Sequence, residues 1–504
     1  MATAIQSERI SSINPATGDV IGTVPVMSAA EVDAVVARAR VAAQTWGTRS
    51  FAARNEEIDA FRRALAAEAD TLAELLHREN GKPLVEALTE VMMSLGHLKH
   101  AVSRAEKALA PKKVSPGLLA NFRATVSYHP LGVVGVIGPW NFPINTPMGS
   151  IAYALAAGNA IVWKPSELTP LIAVEIAKIA AKTFALPDLL QVVTGAGATG
   201  AALAKSAVDK ISFTGSAATG KRVMQAAAER LTPVLMELGG KDAMIVTDDA
   251  DVEKAAEAAV YGALSNAGQA CVAVERVYVA DAIHDKFVDE VVRQVKELRV
   301  GGDDAQIAAM TSDAQVKIVR DHLEDAVQKG AKVLTGGPAA ISGAYIQPTV
   351  LTNVTHDMKV MTDETFGPVI PIQKVKSVDE AVTLANDSKY GLGSSVWGKK
   401  GARGIADKIR AGMTSVNSVL AFAGIYGLPF GGIGESGFGR IHGDEGLREF
   451  SRTKATAEQA FALPMNMMSF KQPAGQAKQL RGMIKTLYGD GIVSKAGDIL
   501  RKLR

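Results

Sequence analysis

Cys271 is the single cysteine among 504 residues, and it follows the small-residue string Asn266-Ala267-Gly268-Gln269-Ala270 just ahead of a strand-like stretch, Val272 to Val279. A thiolate attacks carbonyl carbon well, provided that its pKa is lowered, its approach is fixed and a proton acceptor is close. A lone cysteine is more commonly a small core hydrophobe, so the sulfur needs company before it counts as a nucleophile. Three other strings supply that company. Gly138-Pro139-Trp140-Asn141-Phe142-Pro143 sets a carboxamide on a constrained turn, where its NH₂ can face a ligand oxygen. Val234-Leu235-Met236-Glu237-Leu238-Gly239-Gly240-Lys241 puts one carboxylate among apolar residues and beside glycines that permit close backbone approach. Glu364-Thr365-Phe366-Gly367-Pro368 is the fourth. The plain alternative for Glu237 is a buried, paired structural carboxylate.

Two glycine loops invite a phosphate reading. Gly195-Ala196-Gly197-Ala198-Thr199-Gly200 matches GxGxxG, follows Gln191 to Thr194 and precedes a helix-like run. The acidic residue expected about twenty positions later is missing, which favours a structural turn over an ordinary dinucleotide fingerprint. Gly215-Ser216-Ala217-Ala218-Thr219-Gly220-Lys221-Arg222 has triphosphate-loop spacing, but Arg222 stands where a hydroxyl should hold magnesium. Either loop still offers N–H groups at a helix N-terminus, where a pyrophosphate can rest. The eight histidines show no metal-ligand spacing, so no metal is expected, and His442 in Arg440-Ile441-His442-Gly443 reads as structural.

The elements that must carry these strings follow from periodicity. Ser28 and Glu31 have capping-box spacing, and Val32, Val35, Val36, Ala39, Ala43 and Trp46 repeat at the helical period, with further helices expected to about Leu109. From Thr125 short apolar runs recur at Leu131 to Ile137, Ala160 to Trp163, Leu190 to Val193, Lys210 to Phe213 and Val234 to Leu238, with helix-like segments such as Leu171 to Phe184 between them. Such alternation predicts a parallel sheet covered on both faces. A second α/β block runs from Lys241 to about Gly434, with strands at Ala243 to Val246, Arg276 to Val279 and Ser394 to Trp397.

The chain is too long for one hydrophobic core, so two or three domains are expected. One cysteine excludes an internal disulfide. Met1 to Ile10 lacks an apolar run, and no stretch reaches the roughly eighteen apolar residues of a membrane span, so a soluble, cytoplasmic protein is expected. A net charge of +3 is too small to imply a nucleic-acid partner. The charge is uneven, however: residues 463 to 504 hold eight Lys or Arg against two Asp.

The four strings, with Trp163-Lys164-Pro165-Ser166-Glu167 and Phe213-Thr214-Gly215-Ser216, resemble the aldehyde dehydrogenase superfamily, in matching order from about Ile13 to Lys454. The resemblance implies that Cys271 attacks an aldehyde, that the Asn141 amide and the Cys271 N–H hold the alkoxide, and that Glu237 activates the water that hydrolyses the thioester. It further implies that Lys164 and Glu167 contact the adenosine ribose, Gly215 and Ser216 the pyrophosphate, and Glu364 the nicotinamide ribose. Phe366 would lie near the nicotinamide, and Ile137, Trp140 and Leu238 would complete the cofactor wall. Glu167 favours NAD, with NADP the alternative acceptor, because a carboxylate placed for ribose hydroxyls repels a 2′-phosphate.

The implied fold class is α/β: a three-layer Rossmann-like cofactor domain (1–110 and 131–239), an α/β catalytic domain (240–445) and a small β oligomerisation arm (111–130 and 446–463). A homodimer or homotetramer follows from strands that pair between subunits. The substrate is expected to be a small-molecule aldehyde, in a pocket of Phe142, Val272, Leu420, Phe422 and Phe430. The loop Ser418 to Phe430 carries no Lys or Arg, which suits aliphatic or aromatic aldehydes. Succinate semialdehyde is the alternative, because Ser265 to Val279 and the His442-Gly443 element are similar to some bacterial enzymes for it. A CoA-acylating variant is disfavoured by Glu237, and a catalytically silent structural protein by the presence of Cys271, Glu237 and Asn141 together. Asp242 stands where many relatives have asparagine. The basic tail, 464–504, places Leu480, Met483, Ile484, Leu487 and Tyr488 near one helical stripe, with a second apolar segment at Ile499, Leu500 and Leu503. Packing on its own subunit or a partner is the simpler reading, and a weak contact with an anionic membrane surface the other.

Overall fold

The computed structural model describes residues 8–302, 305–462, 469–471 and 474–489. Two compact units emerge, one of residues 1–110 and 128–453 and one of residues 111–127 and 454–504.

Within the larger unit, the apolar runs Val133–Ile137, Ala160–Lys164 and Lys210–Thr214 are buried along almost their whole length, as strands covered on both faces must be. They form a sheet in the order Gly437–Phe438, Val234–Glu237, Lys210–Thr214, Val133–Ile137, Ala160–Lys164, Leu190–Val192. The last five strands are parallel, and Gly437–Phe438 caps one edge antiparallel. From Val133–Ile137 the chain first builds outward to Leu190–Val192, then returns to add Lys210–Thr214 on the other side. The connections therefore diverge between Val133–Ile137 and Lys210–Thr214, which opens a crevice beyond their carboxyl ends.

A second sheet has the order Lys332–Thr335, Thr349–Thr352, Val369–Val375, Val274–Ala280, Asp242–Val246, Ser394–Trp397, Ser415–Val416. Only its first strand is antiparallel to its neighbour. Leu238-Gly239-Gly240-Lys241 links the sheets, between Val234–Glu237 of one and Asp242–Val246 of the other. Each sheet has its own apolar core, and Val272, Phe422 and Phe430 belong to the core of the first.

The N-terminal helices cover the first sheet. Ser28 caps Ala29–Thr48 as its spacing predicts: its Oγ accepts from the Glu31 N–H, and the Glu31 carboxylate accepts from the Ser28 N–H at 2.7 Å. Trp46 anchors that helix by donating from Nε1 to the Leu155 carbonyl at 2.9 Å. The helices Leu84–Ala108 and Asn145–Ala157 pack side by side, which brings the Asn141 turn under acidic residues of the former.

The smaller unit holds Lys112–Val114, most of Phe122–Pro130 and most of Ser451–Gln459, strands of one three-stranded sheet in the order Ser451–Gln459, Phe122–Pro130, Lys112–Val114, and a helix, Gln476–Tyr488. Residues 446–453 fall in the larger unit, where Gly443–Glu449 is helical. Ile499, Leu500 and Leu503 lie outside the described residues.

Candidate active site

The crevice between the diverging strands is a cleft of about 630 Å³. Ile137, Trp140, Lys164, Glu167, Gly215, Ser216, Leu238, Glu364 and Phe366 all border it, together with Asn141 and Cys271. Two hundred residues of sequence separate Lys164 from Phe366, and the fold closes that distance. Glu237 and the five residues assigned to a substrate pocket lie off this cleft. Val272, Phe422 and Phe430 are buried in the apolar cluster on which Cys271 and Leu420 pack. Phe142 presents its ring face to the Lys82 ammonium, 4.2 Å from the ring centroid.

Asn141 is held from three directions. Its backbone carbonyl accepts from Lys82 Nζ at 2.9 Å and from Asn266 Nδ2 at 3.0 Å. Its own Nδ2 donates to the Gln269 carbonyl at 2.9 Å, which leaves its second amide hydrogen for a ligand oxygen. One residue earlier, the Trp140 carbonyl accepts from Asn80 Nδ2 at 2.8 Å. Lys82 is paired in turn with Glu90, both side chains fully buried, and Glu90 Oε1 accepts from the N–H groups of Ile144 and Asn145 where the next helix starts.

The cysteine loop is equally constrained. Asn266, Ala267 and Gly268 run at φ 52°, 54° and 73° in succession, a left-handed stretch that costs an L residue about 1–2 kcal/mol. Glu86, one turn before Glu90, fixes this stretch by accepting from the Asn266 N–H and the Ser265 hydroxyl. Gly240 approaches so closely that a Cβ there would sit 2.3 Å from the Cys271 carbonyl oxygen. On the far side, Glu275 accepts from Lys241 Nζ and from the N–H groups of Thr365 and Phe366, while Glu364 accepts from the Gly240 N–H at 2.9 Å. Phe366, at φ 50°, meets Trp140 edge to face with ring centroids 5.4 Å apart.

The electrostatics set the protonation states. Burial pushes the Glu237 carboxyl up to about 8, with the Arg440 guanidinium pulling the other way, and neither carboxylate oxygen has a hydrogen-bond partner among the described residues. Gly431 keeps the space beside it clear, since a Cβ there would come 2.9 Å from Glu237 Oε1. Burial, then the carboxylates of Glu237, Glu364 and Asp242, push the Cys271 thiol well above its usual range. The sulfur is therefore not pre-ionised, contrary to the lowered pKa that nucleophilic reactivity demands, and a base must take its proton. Burial likewise raises Asp242 to about 8 while its Oδ1 accepts from the Gly393 N–H, so this residue ties two strands of the second sheet.

His442 is buried against His97 and Phe430, with centroids at 4.4 and 5.2 Å, and burial holds its pKa well below the usual value. It is a neutral packing residue. No group of three or more His, Cys, Asp or Glu able to hold a metal occurs among the described residues. At the two glycine loops, Gly195 (φ 153°) is structural, because a Cβ would strike the Thr199 hydroxyl, while Gly197 and Gly200 border the cleft. Ser216 caps Ala217–Ala228, its Oγ accepting from the Thr219 N–H, and Gly215, Ser216 and Thr219 place the start of that helix at the cleft. Helix dipole, lysine, carboxylate and a wall of small residues together fit an adenine dinucleotide. Lys82, Glu86, Glu90, Glu275 and Arg222 were not singled out as site residues by sequence; the i, i+4 spacing of Glu86 and Glu90 was the available signal.

The sequence model of the aldehyde dehydrogenase family matches residues 2–456. A Methylomonas protein named 4,4'-diapolycopene aldehyde oxidase is 38% identical over 495 residues, covering 97% of this chain and 93% of that protein. A Mycobacterium ulcerans protein, provisionally named a succinate-semialdehyde dehydrogenase [NADP(+)] 2, is 40% identical over 452 residues, covering 88% of this chain and 87% of its own length. The crystal structure of an NAD-dependent aldehyde dehydrogenase from Sinorhizobium meliloti superposes with a TM-score of 0.87 at 33% identity, over 92% of this chain and 93% of that one. With its thiol and carboxamide at a cleft on a doubly wound sheet, the chain belongs to the aldehyde dehydrogenase family.

Proposed function

We propose that this enzyme, which oxidises an aldehyde with NAD or NADP as acceptor, does so through Cys271, Asn141 and Glu237. The observation that carries the reading is the convergence of Cys271 and Asn141 at the inner end of the dinucleotide cleft, with Glu237 coupled electrostatically to the thiol. Cys271 Sγ adds to the aldehyde carbon, its proton passing to a base, and Glu237 is the buried carboxylate whose raised pKa suits that task. The Asn141 amide and the Cys271 N–H stabilise the resulting alkoxide, each such donor contributing about 3 kcal/mol. Oxidation of the thiohemiacetal to a thioester requires a hydride acceptor, the chemistry a nicotinamide dinucleotide supplies when bound. Lys164 and Glu167 hold the ribose end, Gly215 and Ser216 the phosphates, and Glu364 and Phe366 the nicotinamide end. Glu237, having passed the thiol's proton on to solvent, then takes a proton from water as that water attacks the thioester; collapse of the adduct expels the Cys271 thiolate, which regains a proton from Glu237 as the carboxylic acid leaves.

The favoured substrate is an apolar aldehyde. No cation lies in the loop Ser418 to Phe430, and Cys271 packs on the apolar cluster that holds Val272, Phe422 and Phe430. Succinate semialdehyde is the second reading, supported by the 40% identity to the mycobacterial relative. Absorbance at 340 nm with NAD or NADP, on hexanal, benzaldehyde and succinate semialdehyde, tests both. Reduction abolished in Cys271→Ala is the expected result; equal rates in that variant would sink the mechanism.

The chain is read as a cytoplasmic homo-oligomer. Ser451–Gln459 is exposed along nearly its whole length and stands at the edge of its sheet, an arrangement that calls for a partner strand. A mass of one subunit by light scattering would refute this. No helix among the described residues is long and apolar enough to cross a membrane. In the helix Gln476–Tyr488, Ile484 and Tyr488 are exposed beside Lys478, Arg481 and Lys485, which supports weak contact with an anionic surface. Vesicle sedimentation unchanged by deleting residues 464–504 would remove that reading.

A further inference from the structure

Arg222 lies on the face of the helix Ala217–Ala228 that borders the cleft, with Thr219, Val223 and Ala226 at helical spacing beside it. It is exposed, and it has no hydrogen bond or ion pair among the described residues. The neighbouring Lys221 is instead committed to Glu435 at 3.0 Å. Across the cleft the helix Gly197–Lys205 presents Gly197, Gly200, Ala201 and Ala204, a wall without a long side chain, so the slot between the two helices admits a flat ring. Lys164 runs along that wall, its Cδ 3.9 Å from where a Cβ on Gly200 would sit. It pairs with Glu167 at 3.1 Å, and the Glu167 side chain is 45% exposed while that of Lys164 is 5% exposed.

Glu167 is therefore not a free negative charge. Its partner lysine offsets it from beneath, and its own exposure lets it turn toward solvent. The Ser166 hydroxyl, also at the cleft, accepts from the Leu168 N–H at 3.2 Å and keeps its proton to donate. Arg222 adds an uncommitted guanidinium fork, the geometry best suited to phosphate oxygens. The local sum of Arg222, Lys164 and Glu167 is positive.

We infer that Arg222, with Ser166 and Lys164, forms a receptor for the 2′-phosphate of an adenosine ribose, so that the chain takes the phosphorylated dinucleotide in spite of Glu167. The inference rests on the reading of this cleft as the dinucleotide site. It converts the triphosphate-loop near-miss into a function: the arginine that spoils a magnesium site serves a ribose phosphate.

Calorimetric titration of the full chain with 5′-AMP and with 2′,5′-ADP tests it without turnover. The wild type is expected to bind 2′,5′-ADP about tenfold more tightly than 5′-AMP, an advantage that shrinks with added salt. Arg222→Gln should bring the two affinities to within about twofold, Arg222→Lys should restore part of the gap, and Lys221→Gln, which removes the same charge next door, should preserve it. Equal affinities in the wild type would overturn the inference while leaving the cleft reading intact, as would equal losses in Arg222→Gln and Lys221→Gln. If neither nucleotide binds, the cleft reading fails and this inference with it.

Discussion

Glu86 and Glu90, one turn apart on the helix Leu84–Ala108, hold the two halves of the candidate oxyanion site: Glu86 binds the backbone of Asn266 in the cysteine loop, and Glu90 neutralises the lysine that grips the Asn141 carbonyl. Both halves thus take their position from one rigid element. Glu90→Ala leaves Lys82 buried and unpaired, and a loss of about 3–5 kcal/mol is expected in urea unfolding. Glu86→Ala should cost about 1–3 kcal/mol for the freed Asn266 N–H and lower kcat besides. A Glu90→Ala protein of unaltered stability would show that the pair is not buried as described.

Glu237 has a folded pKa of about 8 against an ordinary 4.5, so between those pH values the folded chain keeps a proton that the unfolded chain has released. Its contribution to stability is complete below the lower value and is lost as pH rises through the upper one. Activity follows the opposite course, since the ionised carboxylate is the base. Turnover should climb to a plateau above about pH 8, and Glu237→Gln should abolish that limb, lower kcat by about 10²–10⁴ and weaken the fall in stability with pH. Paired pH profiles of kcat and of the urea midpoint check both signs.

Removing the Glu237 charge also removes one of the carboxylates that raise the Cys271 thiol. Iodoacetamide should alkylate Cys271 slowly near neutrality in the wild type and at lower pH in Glu237→Gln. An unshifted alkylation profile would mean that the two groups do not sense each other.

Asn141→Ala removes the side-chain donor to the nascent alkoxide. A fall in kcat of about 10²–10³ with little change in KM is expected from steady-state kinetics, because the contact strengthens only as charge develops.

Gly240→Ala forces a Cβ to within 2.3 Å of the Cys271 carbonyl oxygen, so the cysteine loop must shift. Turnover should drop at least about tenfold, because small misplacements of reacting groups are costly. Full activity in this variant would contradict the close approach.

Much of this was legible before folding. Val133–Ile137 and its parallel neighbours announced themselves as short continuous apolar runs, and Cys271, Asn141 and Glu364 lay in strings whose order matched one chemistry. The supports were hidden for a physical reason. Lys82, Glu86 and Glu90 at helical spacing look like a solvated charged face, and only tertiary packing puts them under the Asn141 turn. Ala267 carries no sign that it will adopt φ 54°, since the neighbours that enforce the turn are distant in sequence. Glu275 and Arg276 lie in the stretch Ser265 to Val279, where the sequence offers a strand and a substrate-related likeness. They prove to be braces: Glu275 gathers the Thr365–Phe366 backbone, and Arg276 donates to the carbonyls of Lys241, Leu384 and Ala385.

Glu237 ends a strand of one sheet, Cys271 precedes a strand of the other, and the chain passes from the first sheet to the second right after Glu237, through Leu238-Gly239-Gly240-Lys241. The interval between acid and sulfur is accordingly a property of how two slabs are set against each other, as the gap of a hinge belongs to both leaves. A substitution deep in either slab can detune the pair without touching it, so remote core damage in this protein should register as slowed turnover well before it registers as unfolding.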